Sequence, residues 1–331
     1  GGLTLWLRVV GIGLCGVAMF AAAAKAAALN ATAADWRLLL TALAAAGWFF
    51  VALFGVELFT GGILSRLVIS LWNLLTPWDR DPPRESLLLL QSSAALAVFA
   101  WPCMLAIRRR HSTRIAVLFG TAVGGLLLIQ NMQASVVAFA GGMAVYAVVY
   151  KFRRLGIAAF LVGLAVVNLA LALIAFEFVS ADQGEGVSIV MSRSTKERLY
   201  ILDYAYERIT QHPLAGWGFD GSRAIGQDTR GSFYSNPSIP LHPHNLWAQT
   251  WLELGLIGVV LVISLVVSIF MRLAAGGRGR VVVAVAAATV ASYLLIGNIS
   301  YGMWQNWWLA VAWLNAGFLA VIAAADGDAE A

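Results

Sequence analysis

The chain has 331 residues, of which 60% are hydrophobic and only 12% are charged, and its formal net charge is +5. Soluble domains average about 25% charged residues, so half the usual charge cannot cover the surface of a folded protein of this size in water. The same composition excludes a disordered chain, a coiled coil and a secreted disulfide scaffold. The sequence therefore predicts an all-α polytopic membrane protein.

Long apolar runs predict about nine membrane-spanning helices in the visible chain. A helix needs about 20 apolar residues to cross the hydrocarbon core of a bilayer. Runs of about that length lie near 5–24, 37–59, 87–107, 114–129, 133–150, 155–179, 246–271, 281–300 and 302–324. Because the first run begins close to Gly1, which is not a methionine, we expect further helices upstream.

Two stretches of the N-terminal half depart from this pattern. The segment 63–75 contains Arg66 and is too short to cross a bilayer, so we predict an interfacial helix there. The runs within 114–150 are short, and polar residues that include Gln133 separate them. This region is therefore predicted to be a short helical pair with a polar tip.

Basic residues are concentrated in three short connections that contain no acidic residue. These connections hold ten of the 22 basic residues: Arg108, Arg109, Arg110, Arg114, Lys151, Arg153, Arg154, Arg272, Arg278 and Arg280. Lysine and arginine accumulate in cytoplasmic loops, so these connections and the acidic tail after Asp326 are predicted to be cytoplasmic. The sequence then divides into N-terminal spans at 1–179, a large outward loop at 180–245, and three C-terminal spans with the tail at 246–331.

The cysteines and the C-terminal tryptophans are assigned structural places. Cys15 and Cys103 lie within apolar runs, where a thiol is a small packing residue, so we predict no disulfide framework and no zinc site. No other metal or cofactor motif is evident. An interfacial aromatic belt is predicted near the outer end of the last span, at Trp304, Trp307 and Trp308.

The outward loop, 180–245, contains a predicted helix. A connection of this length in a compact protein is usually functional or disordered, and its many aromatic residues argue against disorder. Ser194 and Glu197 have the spacing of a capping box, and the helix that they begin ends before Pro213. A face that packs on the membrane domain is predicted by the helical spacing of Leu199, Leu202, Tyr206 and Ile209.

A glycine-rich turn, HPLAGWGFDG at 212–221, follows this helix. Three glycines around Trp217 and Phe219 predict a tight turn. Its backbone amides either approach a ligand or belong to a loop that folds back on itself. The next stretch, 226–240, is rich in turn-forming residues and is predicted to be a mobile lid.

A polar stripe begins the next membrane span. Pro243 cannot continue a helix backward, so the span starts here and His244 lies at its N-terminus, at the membrane surface. Asn245, Gln249 and Glu253 follow at intervals of four residues and share one helix face. Glu253 lies about 10 Å into the span, and an ionisable residue at that depth marks a functional site. The alternative for Gln249 and Glu253 is a hydrogen-bonded strip between helices.

Taken in order, these motifs resemble the O-antigen ligase and polysaccharide polymerase superfamily of bacterial inner membranes. The order is Arg198-Leu199-Tyr200, then HPLAGWGF, then HPHNLWAQTWLELGLIG leading into a span. The resemblance covers roughly residues 193–265. Tyr204 lies six residues after Arg198, which is a small departure from the usual aromatic spacing of the family.

The resemblance implies a membrane glycosyltransferase of the bacterial inner membrane, with a GT-C-like helical bundle and one large periplasmic loop that contains a helix and carries the catalysis. Its donor would be a glycan on undecaprenyl pyrophosphate, and its acceptor another glycan or lipid A–core. The reaction would be inverting, on the periplasmic face, without metal, cofactor or nucleic acid. By position, Arg198 would bind the pyrophosphate, and His244 would act as base or orient the acceptor hydroxyl. Guanidinium binds phosphate oxygens bidentately, and neutral imidazole accepts a proton near neutral pH.

Other residues are candidates for substrate binding, namely Arg223, Asn245, Gln249, Glu253, Gln133 and Trp217. One departure from the family concerns the tip of the short helical pair, where the family often has a second phosphate-binding arginine. Here the tip reads QNMQAS at 130–135, with Gln133 at the expected arginine position. Either Arg193, Arg223 or Arg66 supplies that charge, or the carrier binds with a different geometry.

Two activities and one rival class stay open. Ligases and polymerases share these motifs, and the altered tip favours a polymerase or exopolysaccharide-type transfer. The rival is a transporter or flippase for a lipid-linked or anionic substrate. Such proteins place their sites near the membrane midplane, often within inverted repeats, whereas this chain has no evident internal repeat and gathers its polar residues on the outward face.

Overall fold

The computed structural model describes residues 33–75, 85–183, 193–225, 242–275 and 279–327. Regular secondary structure in these ranges is helical. It comprises α1 (Ala33–Phe59), α2 (Ile63–Leu75), α3 (Glu85–Arg110), α4 (Thr113–Gln130), α5 (Gln133–Phe152), α6 (Arg154–Gln183), α7 (Arg193–Gln211), α8 (Gly221–Ile225), α9 (Leu246–Ala275), α10 (Arg280–Ile299) and α11 (Asn306–Gly327). The predicted span at 5–24, the predicted lid at 226–240 and most of the acidic tail lie outside the described residues.

Seven of the described helices are long and apolar enough to cross a membrane. They lie at Asp35–Phe59, Leu87–Arg110, Thr113–Gln130, Gln133–Phe152, Arg154–Ser180, Leu246–Arg272 and Arg280–Ile299. Each coincides with a predicted span, which confirms an all-α polytopic membrane protein. The last prediction, 302–324, falls on α11, a helix of 22 residues that is not among the seven.

The predicted short helical pair consists of two full-length helices. Helix α4 has 18 residues and α5 has 20, so each is long enough for a span. They are joined by a tight turn in which Asn131 is left-handed (φ 59°) and its amide donates to the Leu128 carbonyl at 3.1 Å. Asparagine tolerates this conformation at a helix C-terminus. Gln133 is the first residue of α5 and is exposed.

Contacts divide the described chain into two compact units. The first contains the described residues of 152–275 together with 296–310, and the second contains 33–151, 279–295 and 311–327. Gln133 belongs to the second unit. The other predicted site residues belong to the first.

In the second unit, buried hydrogen bonds join α3, α5 and α10. Trp101 is 2% exposed and donates from Nε1 to the Ser292 hydroxyl at 2.9 Å. Ser292 donates in turn to the Ala138 carbonyl at 3.0 Å. A side chain at Gly142 would overlap both Trp101 and Ser292, so the glycine permits this close packing.

The start of α2 is fixed by a carboxylate. Glu57 accepts hydrogen bonds from the amides of Leu64 and Ser65 at 2.7 and 3.1 Å, which satisfies donors that a helix N-terminus leaves free. Apolar side chains of α2, including Leu67 and Leu74, are exposed at 56% and 75%. This pattern suits the predicted interfacial helix, whose place at the membrane surface stays a prediction.

In the first unit, α7 packs against α6 and α9 through the predicted apolar face. One buried cluster comprises Ala175, Phe178, Val179, Leu199, Leu202 and Ala248. A second comprises Ile201, Tyr204, Ala205, Ile209 and Leu252. Tyr206 packs partly buried against both, so the predicted packing face is confirmed. The helix begins at Arg193, one residue before the predicted Ser194 cap.

Candidate active site

Helix α9 is interrupted at Gly255, which has φ 66° and ψ −168°. A break of this kind removes the intrahelical partners of the flanking backbone groups. The 213–218 loop supplies new ones, because the amides of Leu256 and Ile257 donate to the carbonyls of Pro213 and Leu214 at 2.9 and 3.4 Å. The backbone of the predicted span is therefore completed by an earlier segment of the chain.

The same loop also satisfies the carbonyls before the break. The amides of Trp217 and Gly218 donate to the carbonyls of Leu252 and Glu253 at 2.8 and 2.9 Å. Gly216 has φ 69° and lies so close to the Glu253 backbone that a side chain there would overlap it. The turn is tight, as predicted. These two amides bind protein carbonyls, which favours the alternative of a loop that folds back on itself.

Glu253 lies about two turns inside α9 and has no exposed surface. Its Oε2 accepts from Trp304 Nε1 at 2.6 Å and from the Asp220 amide at 3.0 Å. Its Oε1 accepts from Gln249 Nε2 at 3.0 Å and from the Ser222 hydroxyl. Four donors on two oxygens match an ionised carboxylate, and they leave no surface of Glu253 for a substrate.

The other two residues of the polar stripe are also engaged internally. Gln249 is 3% exposed, and its Oε1 accepts from the Met303 amide at 2.8 Å. Asn245 caps α9 by accepting from the Ala248 amide at 2.9 Å, and it donates to Asn168 Oδ1 at 3.2 Å. These contacts favour the predicted alternative, a buried hydrogen-bonded strip. These side chains could contact a substrate directly only if their internal hydrogen bonds were broken.

The ring of His244 is held in one orientation at the start of α9. His244 is half-buried, with left-handed backbone (φ 55°), and its Nδ1 lies 2.8 Å from the Ser300 carbonyl. A carbonyl only accepts hydrogen bonds, so Nδ1 carries the proton and the neutral ring keeps its lone pair on Nε2. The His244 amide donates to Nδ1 of His242 at 3.2 Å.

The surroundings favour the neutral form of both rings. Burial lowers the pKa of His244, the hydrogen bond to Ser300 opposes this shift, and the charge of Arg198 lowers the pKa further. Burial also lowers the pKa of His242, to about 3, with additional lowering from His244, Arg223 and Arg198. His244 is therefore uncharged at neutral pH, as a proton acceptor must be.

Two arginines act electrostatically on this histidine pair. Arg198 lies on α7, exposed, and in the described chain no carboxylate lies within ion-pair distance of its guanidinium. Arg223 lies on α8, where its Nε is 3.0 Å from Asp220 Oδ1 and its side chain is 52% exposed. Burial raises the pKa of the nearby Tyr301 to about 12, and the charge of Arg198 opposes that shift. The site thus combines neutral histidines, two cations and a protonated phenol.

Three other predictions about the site have different outcomes. Trp217 donates from Nε1 to the Arg208 carbonyl at 2.9 Å and packs against His212, so its contacts are within the protein.

Arg66 donates to the carbonyls of Gly61 and Thr60 at the start of α2, in the second unit. The side chain of Arg193 lies outside the described part of the structure. Arg223 is one of the three alternative arginines, and its charge acts on His242.

The contribution of residues 300–305 to the site is not evident from the sequence. Ser300 orients His244, and Tyr301 lies close enough to Arg198 for the arginine charge to lower its pKa. Trp304 and Trp308 were predicted to face the membrane interface, but Trp304 binds Glu253 and Trp308 has no exposed surface. No local signal marks these contacts, since Ser300 follows His244 by 56 residues.

Across the described ranges, no group of three or more His, Cys, Asp or Glu side chains could hold a metal ion.

The site lies within a stretch that matches a known family. Residues 122–263 match the family model described as O-Antigen ligase. Over these residues the chain is similar to the O-antigen ligase family. The matched stretch includes helix α7, the turn at 212–221 and the start of α9, and therefore both His244 and Arg198.

Similar curated proteins come from rickettsiae. A Rickettsia conorii protein named "Putative polysaccharide ligase" is 25% identical over 264 residues, which are 78% of this chain and 61% of that protein. A Rickettsia bellii protein with the same name is 28% identical over 267 residues, with the same coverage of 78% and 61%. The chain thus spans about three fifths of the length of these relatives. No solved structure matches the chain.

Proposed function

We propose that this protein transfers a glycan from an undecaprenyl-pyrophosphate carrier to a sugar hydroxyl, on the periplasmic face of the bacterial inner membrane. The proposal covers both a polysaccharide ligase and a polymerase. It rests on the similarity of residues 122–263 to the O-antigen ligase family and on the chemistry of the residues around His244.

The observation that carries the proposal is the orientation of His244. Its Nδ1 is bound to the Ser300 carbonyl at 2.8 Å, so the lone pair of Nε2 remains to accept a proton. The same ring lies within the electrostatic reach of Arg198, and its neighbour His242 lies within reach of both Arg198 and Arg223. A base beside fixed cations is the arrangement that group transfer from a phosphate leaving group needs.

The proposed reaction is a single inverting displacement. His244 Nε2 takes the proton of the acceptor hydroxyl as that oxygen attacks the anomeric carbon of the donor sugar. The bond from the anomeric carbon to the pyrophosphate oxygen breaks, and the pyrophosphate leaves with the electron pair. Arg198 and Arg223 bind the negative charge that develops on it.

The periplasmic side follows from the distribution of basic residues. The connections after α3, α5 and α9 carry the clustered arginines and lysines, which favours the cytoplasm for them. One of these basic connections joins the end of α9 to the start of α10. The segment 242–245 lies at the other end of α9, and the segment 300–305 lies at the other end of α10. These two segments contact each other through His244 and Ser300. We therefore assign the site to the outer face.

A transporter is the rival proposal, and the broken helix bears on it. Transporters use the free backbone groups of broken helices to bind ions and substrates. In α9 the amides of Leu256 and Ile257 and the carbonyls of Leu252 and Glu253 are all bound by the 213–218 loop. This break therefore offers none of these four groups to a transported ion.

The test is a transfer assay with purified protein and undecaprenyl-pyrophosphate-linked repeat units, with and without a lipid A–core acceptor. We expect transfer by the wild type and a loss of at least about 100-fold in His244→Ala and Arg198→Ala. His111→Ala, an exposed histidine of the second unit, is the matched control and should retain full activity.

The products separate the two activities. A ladder formed from donor alone indicates a polymerase, and a single step that requires lipid A–core indicates a ligase. Full turnover by His244→Ala would overturn the assignment of the base. Folded wild-type protein that transfers nothing under any condition would favour the transporter.

A further inference from the structure

We propose that Glu253 is a positioning residue that holds the two halves of the site, the histidine side and the arginine side, in register. This inference rests on the proposed function above. Glu253 has no exposed surface, so it acts through the groups that it binds.

On the histidine side, Glu253 fixes the 300–305 segment. Trp304 Nε1 donates to its Oε2 at 2.6 Å, and four residues earlier the Ser300 carbonyl holds Nδ1 of His244 at 2.8 Å. Gln249 provides a second link, since it donates to Glu253 at 3.0 Å and accepts from the Met303 amide at 2.8 Å. The carbonyl that sets the tautomer of His244 is thus anchored at two points.

On the arginine side, Glu253 fixes the segment that leads into α8. It accepts from the Asp220 amide at 3.0 Å and from the Ser222 hydroxyl. Arg223 is the next residue, and its guanidinium pairs with Asp220 at 3.0 Å. The carbonyl of Glu253 also binds the Gly218 amide at 2.9 Å. The position of Arg223 therefore depends on the carboxylate.

The carboxylate of Glu253 thus binds two distant segments, one 33 residues before it and the other 51 residues after it in the chain. Only an ionised carboxylate has enough acceptor capacity for four donors. A glutamine at this position keeps one acceptor oxygen, and its amide group faces donors. Because a displacement of about 1 Å can reduce catalysis by about 100-fold, loosening either side should be visible in the kinetics.

The test compares three variants in the transfer assay, with rates corrected for the amount of folded protein. Trp304→Phe removes the donor on the histidine side, and we expect kcat to fall by about tenfold with an unchanged KM for the donor glycan. Ser222→Ala removes the donor on the arginine side, and we expect the KM for the donor glycan to rise by about tenfold together with a smaller fall in kcat, because Arg223 binds both the bound pyrophosphate and the charge that develops on it. Glu253→Gln should show both changes.

Ser292→Ala is the matched control, because it removes a buried hydroxyl that also links helices but lies in the second unit. We expect it to lower thermal stability without a change in kcat or KM. Wild-type kcat and KM in folded Glu253→Gln would overturn the inference. A purely structural role predicts that Trp304→Phe and Ser222→Ala change kcat and KM in the same proportion. That result would also overturn the inference.

The outcomes separate this inference from the proposed function. If the wild type transfers glycan and His244→Ala does not, the proposed function stands whatever Glu253→Gln does. If the wild type is folded but transfers nothing, the proposed function fails, and the inference about Glu253, which rests on it, fails with it.

Discussion

His242 and His244 are two positions apart, and their ring centroids lie 4.4 Å from each other. The protein uses the Nδ1 atoms of the two rings in opposite ways. Nδ1 of His242 accepts the amide hydrogen of His244, whereas Nδ1 of His244 binds the Ser300 carbonyl. A shared HPH motif therefore contains two rings with different tautomeric constraints. In His244 the lone pair is directed to Nε2, which suits a base.

The pH dependence of transfer tests the role of His244. Burial and the charge of Arg198 lower its pKa below the ordinary value of 6.5. Because the neutral ring is the active form, transfer should be constant above about pH 6.5 and should fall only as the pH drops through the lowered pKa. Initial rates at saturating donor, measured on both sides of that value, check this. An acid limb centred at or above 6.5 would contradict the assignment.

The stability of the protein should depend on His242. Its pKa is about 3 in the folded protein and near 6.5 in an unfolded chain. The unfolded state therefore binds more protons between these values, so the stabilisation is complete above about pH 6.5 and is lost progressively toward pH 3, by up to about 1.4 kcal/mol per pH unit. We expect the melting temperature of the wild type to fall more steeply below about pH 6.5 than that of His242→Asn.

The exposed His111 provides the comparison for this measurement. His111→Asn should keep the steep acid dependence of the wild type, because that residue does not belong to the buried pair. Parallel melting curves for the wild type and His242→Asn across this pH range would show that His242 does not carry the acid sensitivity.

At the scale of elements, α9 differs from the other spans because its central backbone depends on another segment. Gly255 has φ 66° and ψ −168°, a region that is essentially restricted to glycine. A side chain there would also overlap the Leu214 carbonyl. The break and the 213–218 loop form one structural element, in which each part satisfies the backbone of the other.

Substitution of Gly255 tests this element. We expect Gly255→Ala to destabilise the protein by at least about 2 kcal/mol, from the left-handed backbone together with the steric overlap. Thermal unfolding in detergent measures it. Gly163→Ala is the control, because Gly163 lies in α6 with nothing within 4 Å of an added side chain. Gly163→Ala should leave the free energy of unfolding unchanged or raise it slightly. Equal melting temperatures for the two variants would contradict the strain at Gly255.

The spans and the packing face of α7 could be predicted from the sequence because their signals are local. Apolar runs and helical spacing need only a few turns of chain to be read. The break in α9 could not be predicted, since Gly255 lies inside an ordinary apolar run and is fixed by the distant 213–218 loop. The partners of Glu253 were missed for the same reason, because Trp304 lies 51 residues away.

At the scale of the whole molecule, contacts divide the described chain into two compact units, and the basic residues cluster in a few connections along the sequence. The clustered basic residues lie in the connections after α3, α5 and α9, whereas His244 and Arg198 lie on segments predicted to face the other side. The chain spans 61% of the Rickettsia conorii relative. A topology measured on the chain itself is therefore the direct check on which face carries the site.

Cysteine labelling measures this topology. In a variant without Cys15 and Cys103, we expect Glu207→Cys to react with a membrane-impermeant maleimide added to spheroplasts, because Glu207 is exposed on α7, within the loop predicted to face outward. His111→Cys, in a basic connection, should react only after the membrane is permeabilised. The reverse pattern would place the site in the cytoplasm and exclude a periplasmic transfer.

The shared backbone of α9 and the 213–218 loop constrains how the protein is synthesised. The loop leaves the ribosome before Gly255, so its amides and carbonyls exist by the time the helix enters the bilayer. An insertion intermediate with the break but without the loop would bury unpaired backbone groups, at a cost of several kcal/mol each in hydrocarbon. In the proposed topology, the nascent helix therefore reaches its broken form only together with a loop that has already crossed the membrane, which makes translocation of that loop a prerequisite for completing the span.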